Sequence, residues 1–435
     1  MMNMQAGIPK AQLMAGDAMN RALTRMAHEM MEQLMPLENV VLVGIRRRGV
    51  PLAQRLSDII EKYEHVRIPV GEVDIAMYRD DRDPAQLNVE VQEKHLPVDV
   101  TGKVVVLVDD VHSYTRVMLQ ELYASEQNID ILFAGSSHCY RSVDPAAVSE
   151  AMGVKAFNAG TSQQLPDGAY FMLREAAKTN TIRQMYLEMF YTTLLEEKSS
   201  NVPAAAYIIT DFAKESREKY EYLWNMGGLA ALLDNAVPAR HNNISPGVIG
   251  ETWRAKLSGA AYEPGSYEYV TYGDEAYRGD GFVYCLPTTG PETDFTPIAQ
   301  IDAQKPISDF SLEYIVKIAD FCRENGIELV LFTAPLPDAY TSQLPNYQSY
   351  VDYMTALGES LGFDYWDFCL SRDLSELGYE NYMDAHHLNG AGAEVFTAEL
   401  LRVMQASHEP DFDKNEFFWP QYAQKLQHTP DHTAG

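Results

Sequence analysis

Two groups of residues in this 435-residue chain have the types and spacing for chemistry. The first is Gly135-Ser136-Ser137-His138, which follows the apolar run Ile129–Ala134, together with Asp384-Ala385-His386-His387 some 250 residues later. Hydroxyl, imidazole and carboxylate are the groups of serine acyl transfer: the imidazole takes the hydroxyl proton and the acid fixes the imidazole tautomer. The second lies in the first quarter. Val104–Val108 runs straight into Asp109-Asp110, adjacent carboxylates suited to two neighbouring sugar hydroxyls. Arg46, Arg48 and Gly49 follow the apolar run Val40–Gly44, where cations and backbone N–H groups can receive a diphosphate. A solvated basic loop is the alternative reading of Arg46–Arg48.

Both groups need strands and helices to position them. Met19, Leu23, Met26, Met30 and Leu34 recur at helical spacing over residues 17–35, with Asp17 as N-cap and Pro36 as the stop. A strand at Val40–Gly44, a helix near Pro51–Lys62, a strand pair around Val66–Arg79 and a strand at Val104–Val108 follow, a βαβ pattern of the doubly wound kind. The alternation restarts with strands expected at Ile129–Ala134, Val154–Asn158, Ile182–Glu188, Ile327–Thr333 and Phe363–Phe368. A helix over Ser308–Asn325 shows Ile315, Ile318, Ala319 and Cys322 on one face, and Gly326 ends it. Residues 200–300 are rich in Gly, Pro, Tyr and Asn and read as an insertion of helices and long loops over the catalytic face. The tail 407–435 is polar and expected to be extended, docked through Phe417-Phe418-Trp419.

Charge restricts the partners. Residues 1–111 carry 17 acidic and 13 basic side chains, whereas the remainder carries 45 and 21. So acidic a surface repels phosphate backbones, which excludes nucleic-acid binding by the long second part. Four cysteines (Cys139, Cys285, Cys322, Cys369) have neither disulfide-framework nor metal spacing and read as small buried hydrophobes. No run reaches the roughly 18 apolar residues of a membrane span, and the first 30 residues lack a signal-peptide core, so a cytoplasmic chain is expected.

Arg21–Glu29, Val43–Ala53, Asp74–Asp81 and Val104–Val111 together resemble the PyrR family, pyrimidine-operon attenuators with uracil phosphoribosyltransferase activity. The resemblance covers roughly residues 8–111. It implies phosphoribosyl pyrophosphate and UMP as ligands, with Arg46, Arg48 and Gly49 at the diphosphate and Asp109 and Asp110 at the ribose. Tyr78 and Arg79 then belong to a flap over the pyrophosphate. It also places Thr24, Arg25 and His28 on an RNA-binding face. The departure comes after the paired acids. The family continues with the phosphate loop Thr-Gly-Arg-Thr, whereas this chain reads Val111-His112-Ser113-Tyr114-Thr115-Arg116, without glycine. The later strands of the family's sheet are absent too. Transferase activity is therefore expected to be very low, and RNA is not an expected partner. The family is oligomeric, so the fragment can fold by pairing with a second copy.

From about residue 117 to 405 the wording Gly-Ser-Ser-His…Asn158-Ala-Gly160…Asp384-Ala-His-His387-Leu-Asn resembles SGNH hydrolases of the DltD/AlgX-like branch. That resemblance implies Ser137 as nucleophile, His387 as base and Asp384 as its partner. Gly160 is then an oxyanion donor beside the Ser137 N–H. The family's third block carries an Asn that this chain lacks at Phe332-Thr333-Ala334-Pro335, a role Asn158 is expected to fill. The implied substrate is an acylated carbohydrate or similar ester, with no cofactor. His138 and His386 read as histidines beside the triad rather than metal ligands, because no third ligand stands at a recognisable spacing. Tyr262, Tyr267, Tyr269, Tyr272 and Tyr277 can stack on sugar rings or pack the insertion.

The expected architecture is α/β: a truncated type I phosphoribosyltransferase-like βαβ module over 1–111, a seam at 112–128, a flavodoxin-like three-layer α/β/α SGNH hydrolase domain over 129–406 with its insertion at about 200–300, and the tail. The expected function is an SGNH-type serine esterase or O-acyltransferase fused to a catalytically defective PyrR-like module. The alternatives are a PyrR-like transferase and attenuator, or a junction of two genes without joint function.

Overall fold

The computed structural model describes residues 36–45, 49–73, 103–108, 114–236, 271–272, 275–375 and 377–428, with isolated positions within 27–34 and 98–100. Two compact units divide the chain at His112 and Ser113.

In the first unit three parallel strands, β1 (Val40–Ile45), β2 (Val70–Val73) and β3 (Val104–Val108), lie in the order β2-β1-β3. Helix α1 (Gly49–Glu64) places Ala53, Leu56 and Ile60 at helical spacing against Val40, Leu42 and Ile68. The β1–β3 register pairs Gly44 with Val108, so both strands end side by side. Among the described residues β3 pairs only with β1, and its Val104 and Val105 are exposed. That is the open edge expected of half a sheet. Most of the helix expected over 17–35 and most of the second half of the 66–79 strand pair lie outside the described residues, though Ala27, Met30 and Met31 are helical.

The second unit is built on five parallel strands: β4 (Ile131–Ala134), β5 (Ala156–Asn158), β6 (Gln184–Glu188), and two later strands at Glu328–Thr333 and Asp364–Asp367. Three further strands precede those two: β7 (Thr271–Tyr272), β8 (Glu275–Gly279) and β9 (Phe282–Cys285) form a separate antiparallel sheet. With the last two named β10 and β11, the large sheet runs β11-β10-β6-β4-β5. Counted within the unit this is the flavodoxin-like order 2-1-3-4-5, whose switch point lies between β4 and β6. Each expected strand is present, shortened by up to two residues at its start, and the last also by one at its end. β4 begins at Ile131 because the Asn180 side chain takes the Ile129 N–H at 2.9 Å.

The residues 112–128 expected as a seam instead supply helix α2 (Tyr114–Ala124), whose Met118, Leu119 and Leu122 enter this unit's core. A short helix α3 (Ser137–Tyr140) follows β4, and α4 (Pro145–Met152) leads to β5. Helix α5 (Pro166–Ala176) leads to β6. The insertion contributes α6 (Pro203–Thr210), α7 (Arg217–Ala236, kinked at Gly227-Gly228) and the β7–β9 sheet, which the sequence reading missed. Helices α8 (Asp309–Asn325), α9 (Tyr347–Leu361) and α10 (Gly390–Ala406) complete the unit. Ser308 caps α8 through the Ser311 N–H at 3.0 Å, and Gly326 closes it in the left-handed conformation. Contacts pair α5 with α8 and α4 with α10. Right-handed crossovers in this strand order put those pairs on opposite faces of the sheet.

The tail is helical rather than extended, with α11 (Lys414–Phe417) and α12 (Tyr422–His428). Phe417 and Phe418 are buried, and the Trp419 N–H donates to Leu370 O at 2.8 Å. All four cysteines are buried and free. No helix among the described residues is long and apolar enough to cross a membrane.

Candidate active site

The Gly135-Ser136-Ser137 turn sits where β4 ends beside the switch point. Gly135 has φ +146°, and a Cβ there would lie 2.6 Å from Glu188 Cβ on β6, so only glycine fits. Its N–H donates to Gln164 Oε1 at 2.8 Å, and Gln164 Nε2 donates to Ala159 O at 2.9 Å, which clips this loop to the one after β5. Ser136 is then turned inward. Its N–H and Oγ both donate to Glu188 Oε2, at 3.1 and 2.7 Å, while its Oγ accepts from the His138 N–H at 3.2 Å. With Ser136 committed as the helix cap, Ser137 opens α3 and is the more exposed hydroxyl.

The motif at residues 384–392 builds the other side. Asp384 Oδ1 accepts from the N–H groups of His386 (3.0 Å) and His387 (2.8 Å), making a tight turn. Asn389 caps α10 through the Gly392 N–H at 3.0 Å, and its amide donates to Pro287 O and Glu380 O. A Cβ on Gly392 would meet Asn381 O at 2.2 Å, so the Asn-Gly-Ala-Gly segment is fixed by packing. The result brings His387 Nε2 to 2.7 Å from Ser137 Oγ, with His387 Nδ1 at 2.8 and 3.1 Å from the Asp384 oxygens. Burial disfavours charge on Asp384, yet the His387 imidazole and the His386 backbone outweigh it and hold the carboxyl well below the usual carboxylate range.

The oxyanion expectation needs correction. Asn158 is fully buried, and its Nδ2 donates to Cys139 O (3.0 Å) and Val143 O (3.2 Å). Its Oδ1 accepts from the Gly160 N–H at 3.0 Å. Asn158 is thus a brace between α3 and β5, with no amide hydrogen left for a substrate, and Gly160 spends its N–H on that brace. Thr333, at the end of β10, instead bonds Met189 O and the Tyr365 hydroxyl. The Ser137 N–H, first in α3, has no acceptor among the described residues and is the remaining donor of the expected set.

Three histidines meet here. His138 lies parallel to His387, with centroids 4.4 Å apart and planes at 22°, and its other face covers Phe190 at 3.7 Å. His138 Nε2 is 3.1 Å from His386 Nδ1. Burial, then His387 and His386, hold His138 well below the usual imidazole range, so it is neutral at physiological pH. The sequence reading found no third ligand near His138 and His386, whereas the fold supplies His387 itself, with ligand atoms within 4.8 Å. The His138 and His387 rings are close to parallel, whereas His386 is tilted 46° to His387.

Glu188 is the group that sequence reasoning missed. It ends β6 fully buried, Oε1 has no hydrogen-bond partner, and desolvation pushes its carboxyl up to about 7 against the opposing Ser136 bonds. An acid closing an apolar strand was the available signal, and such acids usually face water. The insertion is tied to the site by Arg141 of the Ser137–Arg141 turn, which pairs with Glu275 at 2.8 Å and reaches Cys285 Sγ and Met383 Sδ. The Asn158 N–H donates to Asp280 O at 2.8 Å, so the β8–β9 turn covers the β5 edge. Tyr277 is buried, bonds Glu121 and stacks on Tyr114, a packing residue rather than a sugar platform. Tyr262, Tyr267 and Tyr269 lie outside the described residues.

Of the first unit's candidates, Gly49 opens α1 immediately beyond the β1 loop. Arg46, Arg48, Tyr78, Arg79, Asp109, Asp110, Thr24, Arg25 and His28 lie outside the described residues.

Comparison with known proteins separates the two units. A family model for the phosphoribosyl transferase domain matches residues 10–114. A second family model, one without a descriptive name, matches residues 298–408. The Bifunctional protein PyrR of Clostridium perfringens is 50% identical over 102 residues, 23% of this chain and 57% of that protein. Its namesake in Chloroflexus aurantiacus is 53% identical over 103 residues, 23% of this chain and 55% of its own length. The one from Brevibacillus brevis is 48% identical over 104 residues, 24% and 58% respectively. The chain thus spans a little over half the length of the curated relatives it matches. Its first 110 or so residues match a phosphoribosyltransferase domain at about half identity.

Proposed function

We propose that the unit Ser113–Gly435 is a serine esterase or O-acyltransferase of the SGNH type, acting on an acylated carbohydrate or similar ester. One observation carries this reading: the Ser137 hydroxyl, His387 imidazole and Asp384 carboxylate stand in hydrogen-bonded series at 2.7 and 2.8 Å. Their place at the carboxyl ends of the strands beside the switch point supports it. Ser137 Oγ attacks the ester carbonyl as its proton passes to His387 Nε2, and Asp384 stabilises the imidazolium. The tetrahedral oxyanion takes the Ser137 N–H. As the intermediate collapses, His387 returns the proton to the leaving alkoxide, and the acyl group stays on Ser137 Oγ. Water or an acceptor hydroxyl, deprotonated by His387, then releases it. With Asn158 and the Gly160 N–H both committed to the scaffold, the oxyanion hole is two donors short of the expected set, each worth on the order of 10²–10³ in rate. Incubation with a fluorophosphonate tests the reading. It predicts one phosphonyl adduct, mapped by mass spectrometry to Ser137. An unlabelled folded protein, or a label on Ser136, contradicts it.

A second activity is proposed for the first unit, binding of phosphoribosyl pyrophosphate or UMP at Arg46, Arg48, Gly49, Tyr78, Arg79, Asp109 and Asp110. The match over residues 10–114 supports it. The glycine-free stretch after Asp110 argues that transfer itself is lost.

A further inference from the structure

Behind the triad a second hydrogen-bonded series runs from β6 to the Asp384 turn. Glu188 Oε2 meets Ser136 Oγ at 2.7 Å, Ser136 Oγ meets His138 Nδ1 at 3.3 Å, and His138 Nε2 meets His386 Nδ1 at 3.1 Å. All four side chains are buried, and the triad mechanism uses none of them. Every link is a hydroxyl, carboxyl or imidazole, groups that can both give and receive a proton. From this geometry we infer that Glu188 is a positioning residue, the proton store of a wire that sets the tautomers of His138 and His386 and thereby the field on the catalytic His387. The inference rests on the hydrolase reading for its catalytic meaning.

Two proton arrangements satisfy the series. With Glu188 ionised, Ser136 Oγ–H donates to it, His138 Nδ1–H donates to Ser136 Oγ, and His386 Nδ1–H donates to His138 Nε2. A proton arriving at His386 Nε2 releases the Nδ1 proton to His138 Nε2. His138 passes its Nδ1 proton to Ser136 Oγ, and Ser136 passes its own to Glu188 Oε2. One proton has been gained and every bond is reversed. The stored proton belongs on Oε2, because Oε1 has no partner and would bury an unsatisfied donor. The His386 carbonyl also accepts from the His138 ring.

The surroundings contain little else that titrates. Glu188 faces the Cys139 thiol on α3, the Tyr350 phenol on α9 and the Phe190 N–H; burial keeps the thiol and the phenol neutral. His138 faces His386, His387 and Asp384. The carboxyl of Glu188, raised to about 7 by desolvation, puts the reversal in the physiological range. His138 lies face to face with His387, so reversing its ring dipole changes how well His387 carries charge.

Nitrogen-15 spectra of the full chain labelled in histidine distinguish the two tautomers directly. Wild type is expected to show His138 pass from Nε2–H to Nδ1–H as pH rises through about 7. In Glu188→Gln the amide oxygen still accepts from Ser136, so His138 is expected to stay Nδ1–H at every pH. The corresponding inflection in kcat/KM disappears. A wild-type His138 that keeps one tautomer across this range overturns the proposal, even if Glu188→Gln does not fold. Ser137→Ala separates the two readings. A tautomer reversal that persists where ester turnover never depended on Ser137 retains the wire and refutes the hydrolase. Ser137-dependent turnover with a fixed tautomer does the opposite.

Discussion

The two units of this chain hold opposite kinds of information. Residues 10–114 match known phosphoribosyltransferase sequences at about half identity, yet the match covers only a little over half of those relatives' length. The unit ends at His112, close to where the match ends. In the second unit a family model without a descriptive name matches residues 298–408, and Ser137, His387 and Asp384 stand in series within hydrogen-bond distance. Likeness of sequence is carried by local motifs such as Val104–Asp110, and those survive truncation. Chemistry depends on groups converging from distant segments, and Ser137 and His387 converge across 250 residues. The difference teaches that a matched motif and a closed geometry are separate kinds of support for an activity.

The largest expected effect breaks the second unit. His387→Ala is predicted to lower ester turnover by about 10⁴–10⁶-fold, and the Ser137→Ala/His387→Ala double variant to lose no more than either single one, because the triad acts as a unit. Additive losses would mean the two side chains act separately. Asp384→Asn is expected to keep the fold and lower kcat by roughly 10⁴-fold through the wrong His387 tautomer.

Next comes stability against pH. Glu188 carries its carboxyl at about 7 in the folded chain, above the 4.5 of the free group. Between those values the folded state binds more protons than the unfolded one, so stability falls as pH rises and the loss is complete above 7. Glu188→Gln should remove that loss, worth roughly 3 kcal/mol. Denaturation of both proteins at pH 5 and pH 8 measures it, and equal pH dependence would place Glu188 in water. Asn158→Ala should cost about 1–3 kcal/mol in stability by stranding the Cys139 and Val143 carbonyls. Its kcat should fall less than the 10²–10³-fold of a lost oxyanion donor. A large kcat loss at unchanged melting temperature would restore Asn158 to the oxyanion hole. The smallest effect belongs to the first unit, where calorimetric titration with phosphoribosyl pyrophosphate should give weak heats that Asp109→Asn abolishes. Tight binding would reverse the ranking of the two units.

Much of this was legible because it is local. Apolar runs announced every strand of the large sheet, and Ser308 and Gly326 bounded α8 through capping rules that depend on neighbours alone. That Ser137, Asp384 and His387 belong together was an expectation from a family pattern, and the fold brings the three side chains within hydrogen-bond distance in series. Glu188 and Gln164 were not legible, because their partners are Ser136 and Gly135, and only the β4–β6 and β4–β5 adjacencies bring them together. Asn158 was misread for the same reason: the carbonyls it braces come from α3 and the turn after it. The β7–β9 sheet escaped because its longest strands have five and four residues and lack an alternating pattern.

The most direct measurement is hydrolysis of p-nitrophenyl acetate by the full wild-type chain beside Ser137→Ala, both shown to be folded by circular dichroism. The triad predicts turnover that vanishes with the Ser137 hydroxyl. Equal rates in the two proteins would contradict it.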